Sequence, residues 1–272
     1  MVFKDILVTL CCKGPREPVM EQAIVLAKRD GAQLLGLCVV DEDQLAPPPG
    51  AEGIDPQEWR ECLAAELSAA GQGLLDEFIG YCTREGVPVQ TKLLVGPIAA
   101  CICRQANYAD LVLLGRYNDF IRRRMFVGCS PLEGTVRQAT CPVMVAGTSA
   151  RHPRRLLVAY DGSPSARSAL NLATRIAREW DCSLSLVAVQ EKQVGQAVLD
   201  EAKALAEAEG VPARCLLAKG NPRAEILRVG REQQADVVLL GAYCHGQAQE
   251  LIFGGTVGQV IQAADCPVIV CR

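Results

Sequence analysis

The sequence contains an internal repeat, which constrains the fold more than any other feature of the chain. The segment ADLVLLGRYN at 109–118 recurs as ADVVLLGAYC at 235–244, so these segments are offset by 235 − 109 = 126 residues. The segment DILVTL at 5–10 corresponds to RLLVAY at 155–160, an offset of 155 − 5 = 150 residues. Because each copy has the length of a small domain, the repeat predicts two similar domains in tandem.

We place the two predicted domains at 1–147 and 154–272. The first copy is longer by about 150 − 126 = 24 residues, and the segment 41–66 supplies them. A Pro-Pro-Pro-Gly run in this segment predicts a loop, and apolar residues at helical spacing predict a long helix over 59–82. The polar segment 147–154 predicts a linker whose arginines are solvated.

Each copy alternates short apolar segments with segments of helical periodicity. The apolar segments of the first copy, ILVTL, LLGLCVV, LVLLG and CPVMVA, are typical of strands that helices cover on both faces. The predicted fold class is therefore α/β, with two tandem doubly wound domains, each a five-stranded mostly parallel sheet with four helices. The closing strands, CPVMVA and CPVIVC, predict sheet edges that pair between the domains or between two chains.

The composition predicts a folded protein and excludes two classes of partner. Half of the residues are hydrophobic, 22% are charged and the formal net charge is −3. Non-specific nucleic-acid binding needs an excess of Lys and Arg, which is missing here. No apolar run approaches the ~20 residues that span a bilayer, and the first residues lack a signal-peptide cleavage site. We therefore expect a cytoplasmic protein that binds neither nucleic acid nor membrane.

The chain has 14 cysteines, but their spacing does not predict a metal site or a disulfide framework. No CxxC motif occurs, and most cysteines lie in apolar segments where a thiol packs as a small hydrophobic group. The adjacent Cys11 and Cys12 are the best candidates for redox chemistry.

Candidate binding residues follow the strands of the second copy, because ligands of open α/β sheets bind beyond the carboxyl ends of the strands. The first strand ends in a turn, Asp161-Gly162-Ser163, that leads into a helix, and the fourth strand ends at Gly241. Gly254 and Gly255 then precede Thr256, which with Gln259 forms a capping-box pattern and should begin the last helix. A glycine-rich turn at a helix N-terminus favours phosphate, although glycines also occur as simple loop residues.

These motifs resemble the universal stress protein family in its tandem, two-domain form. The resemblance rests on DGSPSARSAL, on VVLLGAYCHG followed by Gly-Gly and a capped helix, and on CPVIV, and it extends over nearly all of both copies. Nucleotide-binding members carry the motif G-x2-G-x9-G-[ST] after strand four. In the second copy Cys244 replaces the second glycine and the hydroxyl residue comes one position late, and in the first copy Asn118 replaces that glycine.

The resemblance implies a nucleotide site in the second domain. Family members that bind ATP have an acid beside the nucleotide, and Asp161 occupies that place, whereas the first copy has Cys11 there. The end of strand two would contact adenine, and the glycine after strand three would pass close to the ribose. His245 would be either a phosphate contact or a solvent-facing loop residue. The implied site residues are Asp161, Gly162, Ser163, Ala188, Val189, Gly220, Gly241, Cys244, His245, Gly246, Gly254, Gly255, Thr256 and Val257.

The function that the resemblance implies is binding of ATP, with or without Mg²⁺, by a stress-response sensor or adaptor. The chain has no P-loop, HExxH, G-x-S-x-G or kinase signature, so we expect slow ATP hydrolysis at most. We also expect the two domains to pair within the chain, and the chain to form a homodimer. Two alternatives remain open: an interaction protein or small-ligand binder without nucleotide, and a thiol redox sensor that uses Cys11, Cys12 or Cys244.

Overall fold

A computed structural model describes residues 1–11, 16–47, 53, 55–116, 131–190, 195–242 and 255–272. These residues form ten strands and eight α-helices. The strands are β1 (Asp5–Leu10), β2 (Gln33–Asp41), β3 (Val89–Gly96), β4 (Leu111–Leu114), β5 (Val143–Val145), β6 (Arg155–Ala159), β7 (Ser183–Gln190), β8 (Ala213–Lys219), β9 (Val237–Gly241) and β10 (Val268–Cys271). The helices are α1 (Glu17–Asp30), α2 (Pro56–Arg84), α3 (Ile98–Ala106), α4 (Pro131–Gln138), α5 (Pro164–Trp180), α6 (Gly195–Ala208), α7 (Pro222–Glu232) and α8 (Thr256–Ala263), with a short 3-10 helix at Glu42–Leu45.

All ten strands form one continuous sheet in the order β3-β2-β1-β4-β5-β10-β9-β6-β7-β8. The five strands of each half are parallel, and each half has the same doubly wound order. The halves join where β5 and β10 pair antiparallel, Met144 opposite Ile269. The predicted fold class is confirmed, and the two closing strands pair within the chain.

The registers of the two halves repeat the offsets found in the sequence. Asp5 lies opposite Gln33 in the first half, and Arg155 lies opposite Ser183 in the second, so both partners shift by 150 residues. Because the registers agree, Cys11 and Asp161 follow equivalent strands at equivalent positions.

Helices cover both faces of the sheet, which explains why its strands are apolar on both sides. Buried residues of α1, α2, α5 and α6 belong to one core cluster, and those of α3, α4, α7 and α8 belong to the other. In α5 the side chains that the helical spacing predicts to face the core are all buried: Ala166, Ala169, Leu170, Ala173, Ile176 and Ala177. No helix among the described residues combines the length and apolar character needed to cross a bilayer.

The additional residues of the first half form the 3-10 helix and lengthen α2 to 29 residues, against 14 in α6. The helix begins at Pro56, three residues before the predicted start, because Asp55 accepts a hydrogen bond from the Gln57 amide and proline suits the first turn. The first buried residue of α2 is Gly71. The N-terminal half of α2 therefore extends beyond the core.

The segment between the halves is less solvated than its composition predicts. The side chain of Gln22, on α1, is fully buried and forms two hydrogen bonds with the backbone of Arg151, at 3.1 and 2.9 Å. Arg116 donates hydrogen bonds to the carbonyls of Ala146, Ala264 and Cys266. The prediction of solvated arginines is wrong for Arg151, because its Nε is buried and Gln22 of the first half holds its backbone.

Candidate functional site

Three of the described candidate residues lie at the carboxyl ends of the strands of the second half. Strands β6 to β9 are parallel, so Asp161, Ala188 and Gly220 all lie at or just beyond the carboxyl ends of their strands. Strand β6 lies between β7 and β9, so successive strands of the chain are added on one side of β6 and then on the other. This is the position where doubly wound sheets open a ligand crevice.

Asp161 forms a tight turn between β6 and α5. One carboxylate oxygen accepts a hydrogen bond from the Ser163 amide at 3.0 Å, and the hydroxyl of Ser163 caps α5 by accepting from the Ala166 amide at 3.1 Å. The carboxylate is exposed, and within the described residues its second oxygen has no hydrogen-bond partner. This oxygen can accept a hydrogen bond from a hydroxyl or a metal-bound water.

Gly162 is required by the conformation of this turn. Its φ of +83° lies in the left-handed region, which a residue with a Cβ adopts only with strain. The side chain of Val198, on α6, lies about 3.8 Å from the place of a Cβ at Gly162. The turn is therefore covered on one side by α6.

Gly241 serves packing between a strand and a helix. A Cβ at this position would lie 2.4 Å from the Ala166 amide nitrogen and 2.7 Å from the hydroxyl oxygen of Ser165. The first turn of α5 therefore occupies the space that a side chain would need. The first glycine of the motif brings β9 and α5 together, independently of any ligand.

Helix α8 begins at Thr256, as predicted, but the prediction that Thr256 caps it in a capping box with Gln259 is wrong. The N-cap residue is Gly255, which has no side chain to accept a hydrogen bond from the first-turn amides. Helices α5 and α7, by contrast, are capped by the side chains of Ser163 and Asn221. The N-terminus of α8 thus presents amide donors that its own N-cap residue cannot satisfy with a side chain, together with the positive end of the helix dipole.

The remaining described candidates differ in their surroundings. Ala188 is buried and Val189 is half-buried, and they lie opposite Leu217 and Ala218 of β8. Gly220 has a φ of +134°. Val257 packs against the core beneath α7 and α8, so its side chain contributes to packing. Cys244, His245, Gly246 and Gly254 lie outside the described residues.

A polar cluster beside Asp161 was not among the predicted site residues. The hydroxyl of Tyr160 donates to the Glu201 carboxylate at 3.1 Å, and Arg167 forms an ion pair with the same carboxylate. Burial, with the neighbouring Glu201, raises the pKa of Tyr160, and the hydrogen bond with Tyr160 raises the pKa of Arg167. The cluster ties α5 to α6 beside the turn, and only the position of Tyr160 next to Asp161 could have indicated it from the sequence.

The side chains at the carboxyl ends of the strands differ in the first half. Cys11 is partly buried and replaces the carboxylate, and Leu10 replaces the tyrosine. Asp41, at the end of β2, is 7% exposed, and its two oxygens accept hydrogen bonds from the Asp43 amide and the Gln44 side chain. The carboxylate at this edge is therefore engaged within the chain.

Three of the described thiols, fully or partly buried, are not activated. Burial raises the pKa of Cys82 and Cys141 to about 11 and that of Cys271 to about 12, so these groups are thiols at neutral pH. The described part of the chain holds no cluster of three His, Cys, Asp or Glu residues that could bind a metal ion. Of the predicted redox candidates, Cys12 and Cys244 lie outside the described residues.

Comparison with known proteins identifies the family. The profile of the Universal stress protein family matches residues 3–147, 152–209 and 190–272. Universal stress protein Slr1230 of Synechocystis is 25% identical over 187 residues, which cover 68% of this chain and 65% of that protein, less than two thirds of its length. Universal stress protein YxiE of Bacillus subtilis is 27% identical over 145 residues, covering 43% of this chain and 98% of its own.

A solved structure shows the same fold over the whole chain. The crystal structure of a universal stress protein from Archaeoglobus fulgidus superposes with a TM-score of 0.81 and 22% identity, covering 98% of this chain and 96% of its own. The doubly wound fold, repeated in tandem, is thus shared. Because the family profile matches both halves of the sequence, the chain belongs to the universal stress protein family.

Proposed function

We propose that the second half binds an adenine nucleotide, ATP with or without Mg²⁺, and that the protein acts as a cytoplasmic stress-response sensor or adaptor. One observation carries the nucleotide proposal. Asp161 forms an exposed carboxylate turn directly after β6, and α8 follows the connection that leaves the carboxyl end of the neighbouring β9 and begins after Gly255, an N-cap residue without a side chain.

The two features suit different parts of a nucleotide. Amide groups at a helix N-terminus and the positive end of its dipole favour phosphate. The second carboxylate oxygen of Asp161 is suited to a ribose hydroxyl or to a water bound to Mg²⁺. The end of β7, at Ala188 and Val189, contacts the base through its backbone in this proposal. In this arrangement the protein binds and retains the nucleotide, and turnover is slow.

We assign the site to a domain at 154–272 and the first domain to 1–147. A thiol at Cys11 cannot replace the strong acceptor of a carboxylate, so the first domain does not bind ATP in the same way. Its contribution is to pair with the second domain through β5 and β10.

Other family members have been solved with nucleotides. One universal stress protein was crystallised in complex with cAMP, and one from Archaeoglobus fulgidus in complex with dAMP. Each superposes on 44% of this chain, with TM-scores of 0.41 and 0.37, so the proposal rests on the residues of this chain.

Isothermal titration with Mg²⁺-ATP tests the proposal on the wild type and on Asp161→Asn. Asparagine keeps the oxygen that accepts from the Ser163 amide, so the substitution removes the charge and preserves the turn. We expect about tenfold weaker binding, because a charge-assisted hydrogen bond becomes a neutral one. Asp181→Asn, at the other end of α5, is the matched control and should bind like the wild type.

Two results would overturn different parts of the proposal. If the wild type releases no nucleotide on denaturation and gives no heat with Mg²⁺-ATP, the chain is an interaction protein or binds another ligand. If the wild type binds ATP and Asp161→Asn binds equally well, the position of the site is wrong. The homodimer stays a prediction, which light scattering tests.

A further inference from the structure

A cavity of about 310 Å³ lies at the amino ends of the strands of the second half. It is open to solvent on one side and bordered by α7, by α8 and by the chain that leads into β6 and β10. These residues lie near the amino ends of the parallel strands, whereas the proposed nucleotide site lies beyond their carboxyl ends. The cavity is therefore separate from the proposed nucleotide site.

The cavity has an apolar floor and a cationic rim. Ile226, Val238 and Val260 line the floor and are at most 4% exposed. Three arginines, Arg151, Arg155 and Arg231, line the rim, against one carboxylate, Asp265. The volume is at the lower end of the range for small-molecule sites, which are usually apolar with a few polar groups that fix orientation.

One of the three arginines is already neutralised. Arg155 pairs with the Asp236 carboxylate, at 3.1 Å from Nη2 to Oδ1, and donates through Nη1 to the side-chain oxygen of Gln234 at 2.6 Å. These contacts hold its guanidinium in place. The charge available to a ligand must therefore come from the other two arginines.

Arg151 and Arg231 form no ion pair with any described residue. Arg231 lies in the last turn of α7, where the helix dipole alone would favour a cation. That explanation does not extend to Arg151, whose Nε–H is buried and has no acceptor among the described residues. Because Nε is buried, a ligand would contact Arg151 through the rest of its guanidinium, and this residue lines the cavity. Its backbone is held by the buried Gln22.

We propose that this cavity binds a small organic anion. The ligand is a compact apolar body, of the size of one or two aromatic rings, that carries one carboxylate or phosphate. The apolar body lies against Ile226, Val238 and Val260, and the anionic group accepts hydrogen bonds from Arg151 and Arg231. Since neither the residues nor the edge of the sheet are those of the nucleotide site, this inference does not depend on ATP binding.

Isothermal titration with 1-naphthoate tests the proposal, and 1-naphthamide serves as the uncharged probe of the same shape. We expect naphthoate to bind about tenfold more tightly than naphthamide, since only the carboxylate pairs with guanidinium groups. Arg231→Gln and Arg151→Gln should each weaken naphthoate binding about tenfold. Arg223→Gln removes an exposed arginine at the other end of α7, outside the cavity lining, and should leave binding unchanged.

Asp161→Asn should bind naphthoate like the wild type, which separates this site from the nucleotide site. The proposal is overturned if naphthoate does not bind, if naphthamide binds equally well, or if Arg231→Gln binds like the control. Arg231 is exposed, so its substitution tests the site even if Arg151→Gln fails to fold.

Discussion

Single residues separate the two halves of this protein. Cys11 and Asp161 follow equivalent strands in equivalent registers, yet only the carboxylate is a strong acceptor at neutral pH. Glycines at the site also differ in purpose, since Gly162 permits a left-handed turn and Gly241 permits close packing of α5 on β9. Function at this scale depends on which groups remain exposed after packing is satisfied.

The packing of Gly241 predicts the effect of adding one methyl group. We expect Gly241→Ala to lower the free energy of unfolding by about 3 kcal/mol, because the new Cβ would collide with the backbone of α5. Gly73→Ala, on the exposed face of α2 where a Cβ meets no atom within 4 Å, should stabilise by about 0.5–1 kcal/mol. Urea unfolding followed by circular dichroism measures both, and equal effects would contradict the packing argument.

The buried thiol of Cys271 predicts a loss of stability at alkaline pH. Its pKa rises from 9.0 to about 12 through burial, so above pH 9 a thiol in the unfolded chain ionises while the folded one stays protonated. The unfolded state then binds fewer protons, and the free energy of unfolding falls with rising pH.

We expect the wild type to lose about 1–2 kcal/mol more than Cys271→Val between pH 9 and pH 10.5. Urea titrations at the two pH values measure this difference, and parallel curves would show that Cys271 ionises as freely in the fold as in the unfolded chain.

At the scale of elements, one aspartate in each half joins the start of the first strand of that half to the start of its fourth strand. The two aspartates occupy equivalent positions of the repeat. Asp110 accepts hydrogen bonds from the amides of Lys4 and Asp5, and Asp236 accepts from those of Arg154 and Arg155. The repeat in the sequence contains both aspartates, so their recurrence reflects a structural requirement of each half.

Burial predicts unequal effects of substituting these two aspartates. Asp236→Asn should lower the free energy of unfolding by about 2 kcal/mol, because Asp236 is buried and also pairs with the Arg155 guanidinium. Asp110→Asn should cost about 0.5–1 kcal/mol, since solvent screens this exposed group. Chemical denaturation of both variants distinguishes them, and a smaller effect at Asp236 would refute the role of burial.

At the scale of the whole molecule, contacts between the halves extend beyond the β5–β10 pair. The indole N–H of Trp180 donates to the Asp30 carboxylate at 2.8 Å, and its ring lies beside Phe3 with centroids 5.8 Å apart. The Arg29 guanidinium lies 5.2 Å from the Trp180 ring centroid. These contacts, with the continuous sheet, predict that the halves unfold as one unit.

The two tryptophans allow a direct test of this cooperativity. Trp59→Phe removes a half-buried indole whose buried N–H has no acceptor among the described residues, so it should change stability by less than about 0.5 kcal/mol. It leaves Trp180 as the sole indole, which reports on the contact between the halves. We expect its fluorescence and the circular dichroism of the chain to show one coincident urea transition. An earlier fluorescence transition would mean that the halves separate before they unfold.

Trp180→Phe should lower the free energy of unfolding by about 1–3 kcal/mol, because it leaves the Asp30 oxygen without its donor. Circular dichroism follows this variant, and Trp59→Phe is its matched control. If Trp180→Phe loses no more unfolding free energy than the control, this contact does not stabilise the packing between the halves.

The sequence by itself determined the fold class, the order of the elements, the equivalence of the two halves and the difference between Cys11 and Asp161. These follow from local periodicity and from an internal repeat, both of which are visible along the chain. It did not determine whether the closing strands pair within the chain or between chains, nor that Gly241 serves α5. It also did not indicate that a buried glutamine holds Arg151 at a cavity. Only the tertiary structure decided these points, because each depends on residues far apart in sequence that meet only when the sheet and its helices are assembled.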